Sequence, residues 1–457
     1  MSIFDSIRKG LQGFILGDLY GIIDERQREL QLRLDYKEGR HRVQIRPRPG
    51  KTDDNVYLNF SGLVIDRSIS MLFGQDVEFD LPGEGDDTPE DEFINSIWEA
   101  NKKEIFLHRM GLLAGTYGTG YVKIRPNEAF SIDGTPRARL VLIDPRWVEM
   151  DTHPEDFEMV VRYTIRFNTV GADGKEIARK QIHEIQDNST WLIEDYMASS
   201  ATGGQWELMS SEIWPYEFSQ ILHFQNLPAA DDVYGMPDLT DDLICLQDKI
   251  NFNISNENKI NRLYAHPQQV GYGIGGDNKE VIDSGPGQIM VLHDEKSFLK
   301  NVEMQSDLSG TNQFIMMLRQ AFFDIARTVD IDSVADKVGA LTNFGLRVLY
   351  QDAINKIETK QRLYGDALLE LNHRLLVIGE MNPDPGVIIW PDPLPVNGSD
   401  LSNELKTDIE MGILSKKSAA SQKQYDWEQE TDRMQAEQSQ GGNIGAQILR
   451  AFDRGEL

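Results

Sequence analysis

The sequence predicts an α+β fold that is mainly helical, and three parts of the 457-residue chain support this prediction. Between residues 121 and 227, short apolar and β-branched segments alternate with turn signals, a pattern typical of antiparallel β-structure. Residues 241–265 contain neither Gly nor Pro and carry apolar residues at helical spacing, which predicts one helix of about 35 Å. Two further helical patterns cover residues 308–330 and 341–380.

The first 120 residues predict helices separated by loops. Apolar residues at helical spacing cover 3–15, where a helix docked on protein is the main interpretation and a membrane-surface helix the alternative. Residues 57–73 predict a helix that ends at Gly74, and residues 93–115 predict another. Between them, residues 76–92 hold nine acidic and no basic residues, which predicts a solvated loop.

The rest of the chain predicts strands first and helices afterwards. After the long helix, a β-rich insert at 268–274 and 287–292 precedes the second helix, and a polar break at 330–339 separates that helix from the third. A Pro-rich stretch at 387–397 then leads into acidic helical sequence. The predicted strands of the first half are 121–125, 138–144, 158–167, 180–187, 189–197 and 220–227.

The predicted helix over 241–265 has an unusual composition. Its second half is rich in asparagine, which is uncommon in a buried helix and predicts a face turned toward water or a polar tunnel. Cys245 lies among apolar helix positions, which predicts a small buried side chain. Because it is the only cysteine, an internal disulfide and a multi-cysteine metal site are excluded.

The charge of the chain argues against tight nucleic-acid binding. Its 74 acidic and 46 basic side chains give a net charge of −28, whereas a domain that grips DNA is normally basic because Lys and Arg neutralise phosphates. Loose enclosure of a nucleic acid remains compatible with this charge. The N-terminal sequence has no continuous apolar stretch and predicts neither a signal peptide nor a transmembrane span, so we expect a soluble protein made in a reducing compartment.

Sequence signatures of catalysis are missing. The chain has no GxxxxGK[ST] phosphate loop, no GxSxG nucleophile elbow and no HExxH zinc motif. Its eight histidines are dispersed, and no pair of carboxylates stands out from the many acidic residues. We therefore predict no catalytic, cofactor-binding or metal-binding residue, and no enzyme.

The stretch GTYGTGYVKIRP, residues 115–126, is the nearest approach to a phosphate-binding loop. A dinucleotide loop needs a strand, then GxGxxG, then a helix whose N-terminus meets the phosphates. Here a helix precedes the glycines, a strand follows them, and the third glycine is missing. We predict a helix C-cap and tight turn at Gly115 and Gly118, and a closely packed strand start at Gly120.

Six stretches follow one another along the chain in an order that resembles the portal proteins of tailed double-stranded DNA bacteriophages. They correspond to an early helix with a short strand, a helix-to-strand step, the next strand, the start of a first stem helix, a kinked helix after a tunnel loop, and a passage toward a crown. The stretches are NFSGLVIDRSISMLFGQDVEF (59–79), AGTYGTGYVKIRPNE (114–128), LIDPRWVEM (142–150), ILHFQNLPAADDVYGMPDLTDDLICLQDKINFNISN (221–256), GALTNFGLRVLYQDAINKIETKQRLYGDALLELN (339–372) and IIWPDPLPVNGSDLSNELKTDIEMGILSKKSA (388–419).

The resemblance implies a portal architecture with wing, stem, clip and crown regions, long stem helices and a small β-rich clip insert. The implied boundaries are a wing at 1–240, stem helix 1 at 241–265, a clip at 266–304, stem helix 2 at 305–330, a tunnel loop at 331–341, a long kinked wing helix with its connector at 342–395, and a crown at 396–457.

The resemblance also implies a function. The protein would be one subunit of a homo-oligomeric ring, usually of twelve, at a single capsid vertex of the virion, made in the host bacterial cytoplasm. Double-stranded DNA would pass through the ring during packaging and ejection without being tightly bound. The implied protein partners are the large terminase subunit, a head–tail adaptor, and the major capsid and scaffold proteins, with no membrane and no cofactor.

Site residues follow from the same order. The tunnel loop would include Asp330, Asp332, Ser333, Asp336 and Lys337, an assignment that rests on the family order alone. For each basic residue near the path, ion pairing with an acidic residue of a neighbouring subunit is an equal alternative to DNA contact. The candidate contacts along the DNA path are Lys249, Asn253, Asn256, Lys259, Arg262, Arg319 and Arg327.

Two alternatives from other classes stay open at this point. The first is a nucleic-acid-processing enzyme whose carboxylates bind metal ions, which predicts Mg²⁺-dependent cleavage of DNA. The second is another ring-forming protein, such as a head–tail connector or a secretion ring, although such connectors are typically much smaller than this chain.

Overall fold

A computed structural model gives the fold of the chain, which divides into two compact units, Met1–Pro393 and Leu394–Leu457. The residues that the structure describes are 25–47, 53–83, 88–132, 135–170, 174, 176–186, 189–200, 203–230, 232–265, 269–272, 298–301, 308–330, 343–394, 398–423, 427, 430–431 and 433–434.

Helices form where apolar residues recur every three or four positions. In α2, Val64, Ile69 and Leu72 are fully buried, and the Asn59 side chain caps the first turn by accepting from the Gly62 amide at 3.0 Å. The helices of the first unit are α1 (Glu25–Lys37), α2 (Phe60–Phe73), α3 (Pro89–Ala100), α4 (Lys103–Tyr117), α5 (Asp241–Ala265), α6 (Ser309–Ile325), α7 (Asn343–Leu349) and α8 (Gln351–Ile378). Those of the second unit are α9 (Gly398–Glu410) and α10 (Lys416–Gln422).

The described strands pair antiparallel in four sheets, with the orders β3-β2-β9, β4-β5-β6-β7-β8, β1-β12 and β10-β11. The first two sheets hold most of the strand residues. The strands are β1 (Glu78–Asp80), β2 (Thr119–Ile132), β3 (Thr135–Ile143), β4 (Val148–His153), β5 (Asp156–Val170), β6 (Glu176–Ile185), β7 (Trp191–Ser200), β8 (Gly203–Trp214), β9 (Ile221–Gln225), β10 (Gln269–Tyr272), β11 (Phe298–Asn301) and β12 (Val387–Ile389).

The described residues of the first unit form two hydrophobic cores. The larger one surrounds α8, whose buried residues, among them Tyr364 and Leu368, pack with α2, α3, α4 and the start of α5. The smaller one lies between the three-stranded and five-stranded sheets, where Tyr121 and Ile221 meet Tyr163 and Ile193. The mixed helix-and-sheet fold confirms the α+β prediction.

The glycine-rich turn has the structure predicted for its last two glycines. Gly118 ends α4 with φ = 89° and donates to the Ala114 carbonyl, a left-handed cap that favours glycine. Gly120 is the second residue of β2, and a Cβ there would lie only 2.2 Å from the Phe224 ring. Gly115 is instead a buried residue inside α4, because the helix continues to Tyr117. The stretch is a helix-to-strand turn.

Other element predictions need correction. The acidic segment 76–92 is not a continuous solvated loop, because Val77 and Leu81 are buried and β1 pairs with β12. Two predicted helices are each divided, one at Lys102, which adopts φ = 56°, and the other at Tyr350. The second long helix ends at Ile325 rather than at residue 330.

Three further predictions have different outcomes. Cys245 is exposed, not buried. The strand β8 was missed, because its Gly- and Ser-containing sequence does not alternate clearly. The helix predicted for 3–15 and the strand predicted for 287–292 lie outside the described residues.

Candidate functional site

The inner face of α5 binds the segment that precedes α2, residues 53–59, which we call the strap. The Leu58 amide donates to Asn251 Oδ1 at 3.0 Å and the Val56 amide donates to Ser255 Oγ at 3.0 Å. Gln247 is fully buried, as are Asn251 and Ser255. These side chains therefore replace the sheet partner that the extended backbone of the strap lacks.

The spacing of these polar residues follows from helix geometry. Positions 247, 251 and 255 are four residues apart and share one face of α5. Arg262, further along, forms two hydrogen bonds with the Asp54 carboxylate, at 2.6 and 2.7 Å. From Val56 to Leu58 the strap advances about 6.6 Å, and from Ser255 to Asn251 the helix spans about 6.0 Å, so the two backbones stay in step over these contacts.

This contact corrects the interpretation of one asparagine of the polar helix. Asn251 belongs to a buried face that binds protein backbone, and Asn258 also donates to the Asp54 carbonyl at 3.1 Å. Asn258 and Asn261 are exposed, as predicted, and the other side of α5 faces outward. There Lys249, Phe252 and Lys259 are exposed.

A histidine joins the chain before the strap to the same helix. Asn251 Nδ2 donates to His41 Nδ1 at 2.7 Å, while its Oδ1 accepts from Leu58, so the orientation of the amide is fixed. His41 must then be neutral, with its proton on Nε2 facing the Tyr36 carbonyl at 3.3 Å. Burial accordingly lowers the pKa of His41.

The candidate DNA contacts fall into two groups. Arg262 pairs with Asp54, and Arg319 pairs with Asp330 at 2.6 Å, so both have acidic partners within the same chain. Lys249, Lys259 and Arg327 are exposed and form no salt bridge with any described residue.

The two asparagine candidates lie on α5 and are partly exposed. Asn253 donates to the Lys249 carbonyl at 2.7 Å, and Asn256 is half-buried. Of the residues predicted for the tunnel loop, Asp330 is described. Asp332, Ser333, Asp336 and Lys337 lie outside the described residues.

A charged triad lies in the larger core. Lys360 Nζ lies 2.6 Å from Asp238 Oδ2, and Lys356 Nζ lies 2.8 Å from Asp238 Oδ1. The side chains of Asp238 and Lys360 are fully buried, and that of Lys356 is 6% exposed. Lys360 also donates to Ser68 Oγ at 2.8 Å, and the Asp238 amide donates to the Gly115 carbonyl at 2.9 Å.

The triad shifts the pKa values of its members. Burial alone would raise the pKa of Asp238, but the two ammonium groups outweigh burial and the net shift is downward. Burial lowers the pKa of Lys360 to about 8, against the attraction of Asp238. Lys356 and Lys360 lie on the same helical face as the apolar residues Ile357 and Tyr364. This pattern indicates that both lysines are buried, a signal that the sequence analysis missed.

A second buried polar group lies between the two large sheets. Lys123 Nζ donates to Gln181 Oε1, and burial lowers the pKa of Lys123 to about 8. Gln181 Oε1 also lies 3.0 Å from His183 Nε2. Burial lowers the pKa of His183 to about 3 and that of His223 to about 4. No group of His, Cys, Asp and Glu suited to a metal ion occurs among the residues that the structure describes.

Comparison with known families decides the identity. A family model described as "Phage portal protein, SPP1 Gp6-like" matches residues 18–443. The chain belongs to this portal protein family. The match confirms the resemblance and implies a structural component of the virion that forms ring oligomers within the head–tail connector.

Comparison with solved structures finds similarity to the neck of an empty GTA particle. The portal chain is 13% identical to that structure, with a TM-score of 0.46, and the match covers 83% of this chain and 96% of that one. Comparison with curated protein sequences finds no significant match. Within the described residues, no helix of this portal protein is long and apolar enough to span a membrane.

Proposed function

We propose that this portal protein forms a ring of about twelve subunits at one capsid vertex, through which double-stranded DNA passes during packaging and ejection. The observation that carries the proposal is the family match over residues 18–443. The ring would dock the terminase during packaging and a head–tail adaptor afterwards. The absence of a phosphate-loop motif from the sequence fits a conduit that depends on an external motor.

The proposed regions keep the boundaries that the family order implies. Helices α5 and α6 would form the stem, and β10 and β11 would belong to the clip between them. The other three sheets and α8 would belong to the wing, and residues 396–457 would be the crown. A net charge of −28 favours weak DNA contact, which a conduit requires.

One face of α6 supports subunit association. Phe314, Met317 and Ile325 are 44%, 57% and 47% exposed and lie on one side of the helix. Exposed apolar residues grouped in this way typically mark a protein interface. In the proposed ring, this face of α6 would contact the neighbouring subunit.

Purified full-length protein should therefore form rings, and the double substitution Phe314→Ser and Met317→Ser should shift it toward monomers. The physical reason is the loss of apolar area buried between subunits. Negative-stain electron microscopy and native mass spectrometry measure the outcome. Ile213→Ser is the matched control, because Ile213 is 70% exposed on β8. Monomeric wild-type protein with Mg²⁺-dependent nuclease activity would overturn the proposal.

The three exposed cations provide a test of the DNA path. Arg327 follows α6 with φ = 53°, a conformation in which Gly is less strained than Arg, so Arg327→Gly removes the charge and keeps the turn. We expect the variant with Lys249→Gln, Lys259→Gln and Arg327→Gly to assemble normally and to package DNA with a weaker dependence on salt.

Packaging assays at several salt concentrations measure this effect. Arg109→Gln is the control, because it removes an exposed charge from α4 rather than from the proposed stem. An unchanged salt dependence in the triple variant would show that these three cations do not meet DNA.

A further inference from the structure

The chain that leaves α6 is held by cations from three helices. Lys356 of α8 donates to the Ala326 carbonyl at 3.2 Å, and Arg67 of α2 donates to the Val329 carbonyl at 2.9 Å. Arg319 of α6 itself pairs with Asp330. Side chains of α2, α6 and α8 therefore hold the last described turn before residue 331.

The end of α6 already satisfies its own backbone. The Thr328 amide donates to the Phe323 carbonyl at 3.0 Å, and the Arg327 amide donates to the Asp324 carbonyl at 3.1 Å. These bonds complete the C-terminal cap. The cations are thus additional, and they are placed where the partial negative charge of the helix end attracts them.

Aromatic packing orders the same turn. Phe322 and Phe323 are buried, and the guanidinium groups of Arg67 and Arg319 lie 5.5 and 5.8 Å from the centroid of the Phe323 ring. Cations at this distance from an aromatic ring are attracted to it. Both arginines are therefore held by a ring as well as by an oxygen acceptor.

Lys356 connects this turn to the other long helix. Its Nζ lies 2.8 Å from Asp238 Oδ1, and Asp238 lies three residues before the first residue of α5. One lysine of α8 thus contacts both the chain that enters α5 and the chain that leaves α6. Lys360 strengthens the same connection through Asp238 and through Ser68 of α2.

We propose that Asp238, Lys356 and Lys360 form a junction that fixes the start of α5 and the end of α6 on α8. Arg67 and Arg319 belong to this junction, because they also bind the end of α6. This inference rests on the proposed function, in which α5 and α6 form the stem. The five side chains are positioning residues. When passing DNA displaces the stem, these contacts transmit the displacement to α2 and α8, so that it is not absorbed at the helix ends.

Hydrogen exchange of assembled full-length rings tests the junction. In Lys356→Met, we expect the amides of 326–330 to exchange about tenfold faster, since a hydrogen bond from a charged donor is lost. Arg374→Met is the matched control, because Arg374 also lies on α8 and donates to backbone carbonyls, those of Ser219 and Ile221. It should leave the exchange of 326–330 unchanged.

DNA packaging by the same rings tests the coupling. Faster exchange together with reduced packaging by intact Lys356→Met rings supports the proposal. Unchanged exchange overturns the junction, and faster exchange with normal packaging overturns the coupling. If Lys356→Met does not fold, Arg67→Met removes one contact from the same turn and is judged by the same outcomes. Failure of wild-type protein to form rings would instead refute the proposed function.

Discussion

Asp238→Asn is expected to destabilise the protein by about 3–5 kcal/mol, because it leaves two buried ammonium groups without their carboxylate. Lys360 is fully buried and Lys356 nearly so, so water cannot replace the lost partner without local opening. Urea unfolding followed by tryptophan fluorescence, at a fixed protein concentration, measures the free energy of unfolding.

Two further variants sharpen this prediction. Asp66→Asn removes a carboxylate from an exposed pair with Lys37 at 3.7 Å and should cost less than about 1 kcal/mol. Asp238→Asn combined with Lys360→Met should lose less stability than Asp238→Asn alone, because one uncompensated charge is then absent. A wild-type free energy of unfolding in Asp238→Asn would show that the triad contributes no net stability.

The second large effect is a loss of stability in mild acid. Burial lowers the pKa of His183 to about 3 and that of His223 to about 4, whereas an unfolded histidine titrates near about 6.5. The folded state therefore prefers the neutral rings, and their contribution is complete above pH about 6.5. It declines as the pH falls toward 4, by on the order of 3 kcal/mol for each histidine.

The geometry explains why these two rings resist protonation. Gln181 Oε1 also accepts from Lys123, so His183 Nε2 must be the donor. His183 Nδ1 and His223 Nε2 are buried and have no hydrogen-bond partner among the described residues. Protonation would place a charge where no described acceptor meets it.

Glutamine substitutions test this pH dependence. His183→Gln and His223→Gln should each flatten the fall in unfolding free energy between pH 6.5 and 4, as measured by urea unfolding at several pH values. His108→Gln, at an exposed position of α4, should leave the pH profile as it is. A profile that stays steep in the double variant would assign acid sensitivity to other groups.

Local sequence patterns were sufficient for the longest elements. The bounds of α5, Asp241–Ala265, agree with the prediction. Apolar residues at helical spacing, with no Gly or Pro between them, predict one continuous helix. The helix-to-strand turn at Gly118 was also predictable, since its φ of 89° requires a glycine-like residue. In contrast, the breaks at Lys102 and Tyr350 carry no Gly or Pro, and only tertiary packing imposes them.

The partners of polar side chains were not predictable. From the sequence, the amides of Gln247 and Asn251 are expected to face solvent, but their partners are backbone groups of Leu58 in the strap, 189 positions before Gln247 and 193 before Asn251. Likewise, nothing near Lys360 in the sequence indicates Asp238, which lies 122 positions away. Such pairs depend on the fold as a whole. The periodicity of the sequence therefore identifies which face of a helix is buried, but not which residues that face contacts.

The match in spacing between the strap and α5 restricts how this protein can change during evolution. An inserted residue in the strap would displace its backbone groups by about 3.3 Å. Each residue added to α5 advances the helix by only about 1.5 Å and also rotates the side chains away from the strap. Two added strap residues match four added helix residues, about 6.6 against 6.0 Å. Homologues that add or remove residues between Val56 and Leu58, or between Asn251 and Ser255, should therefore change both segments together, two residues in the strap for four in α5.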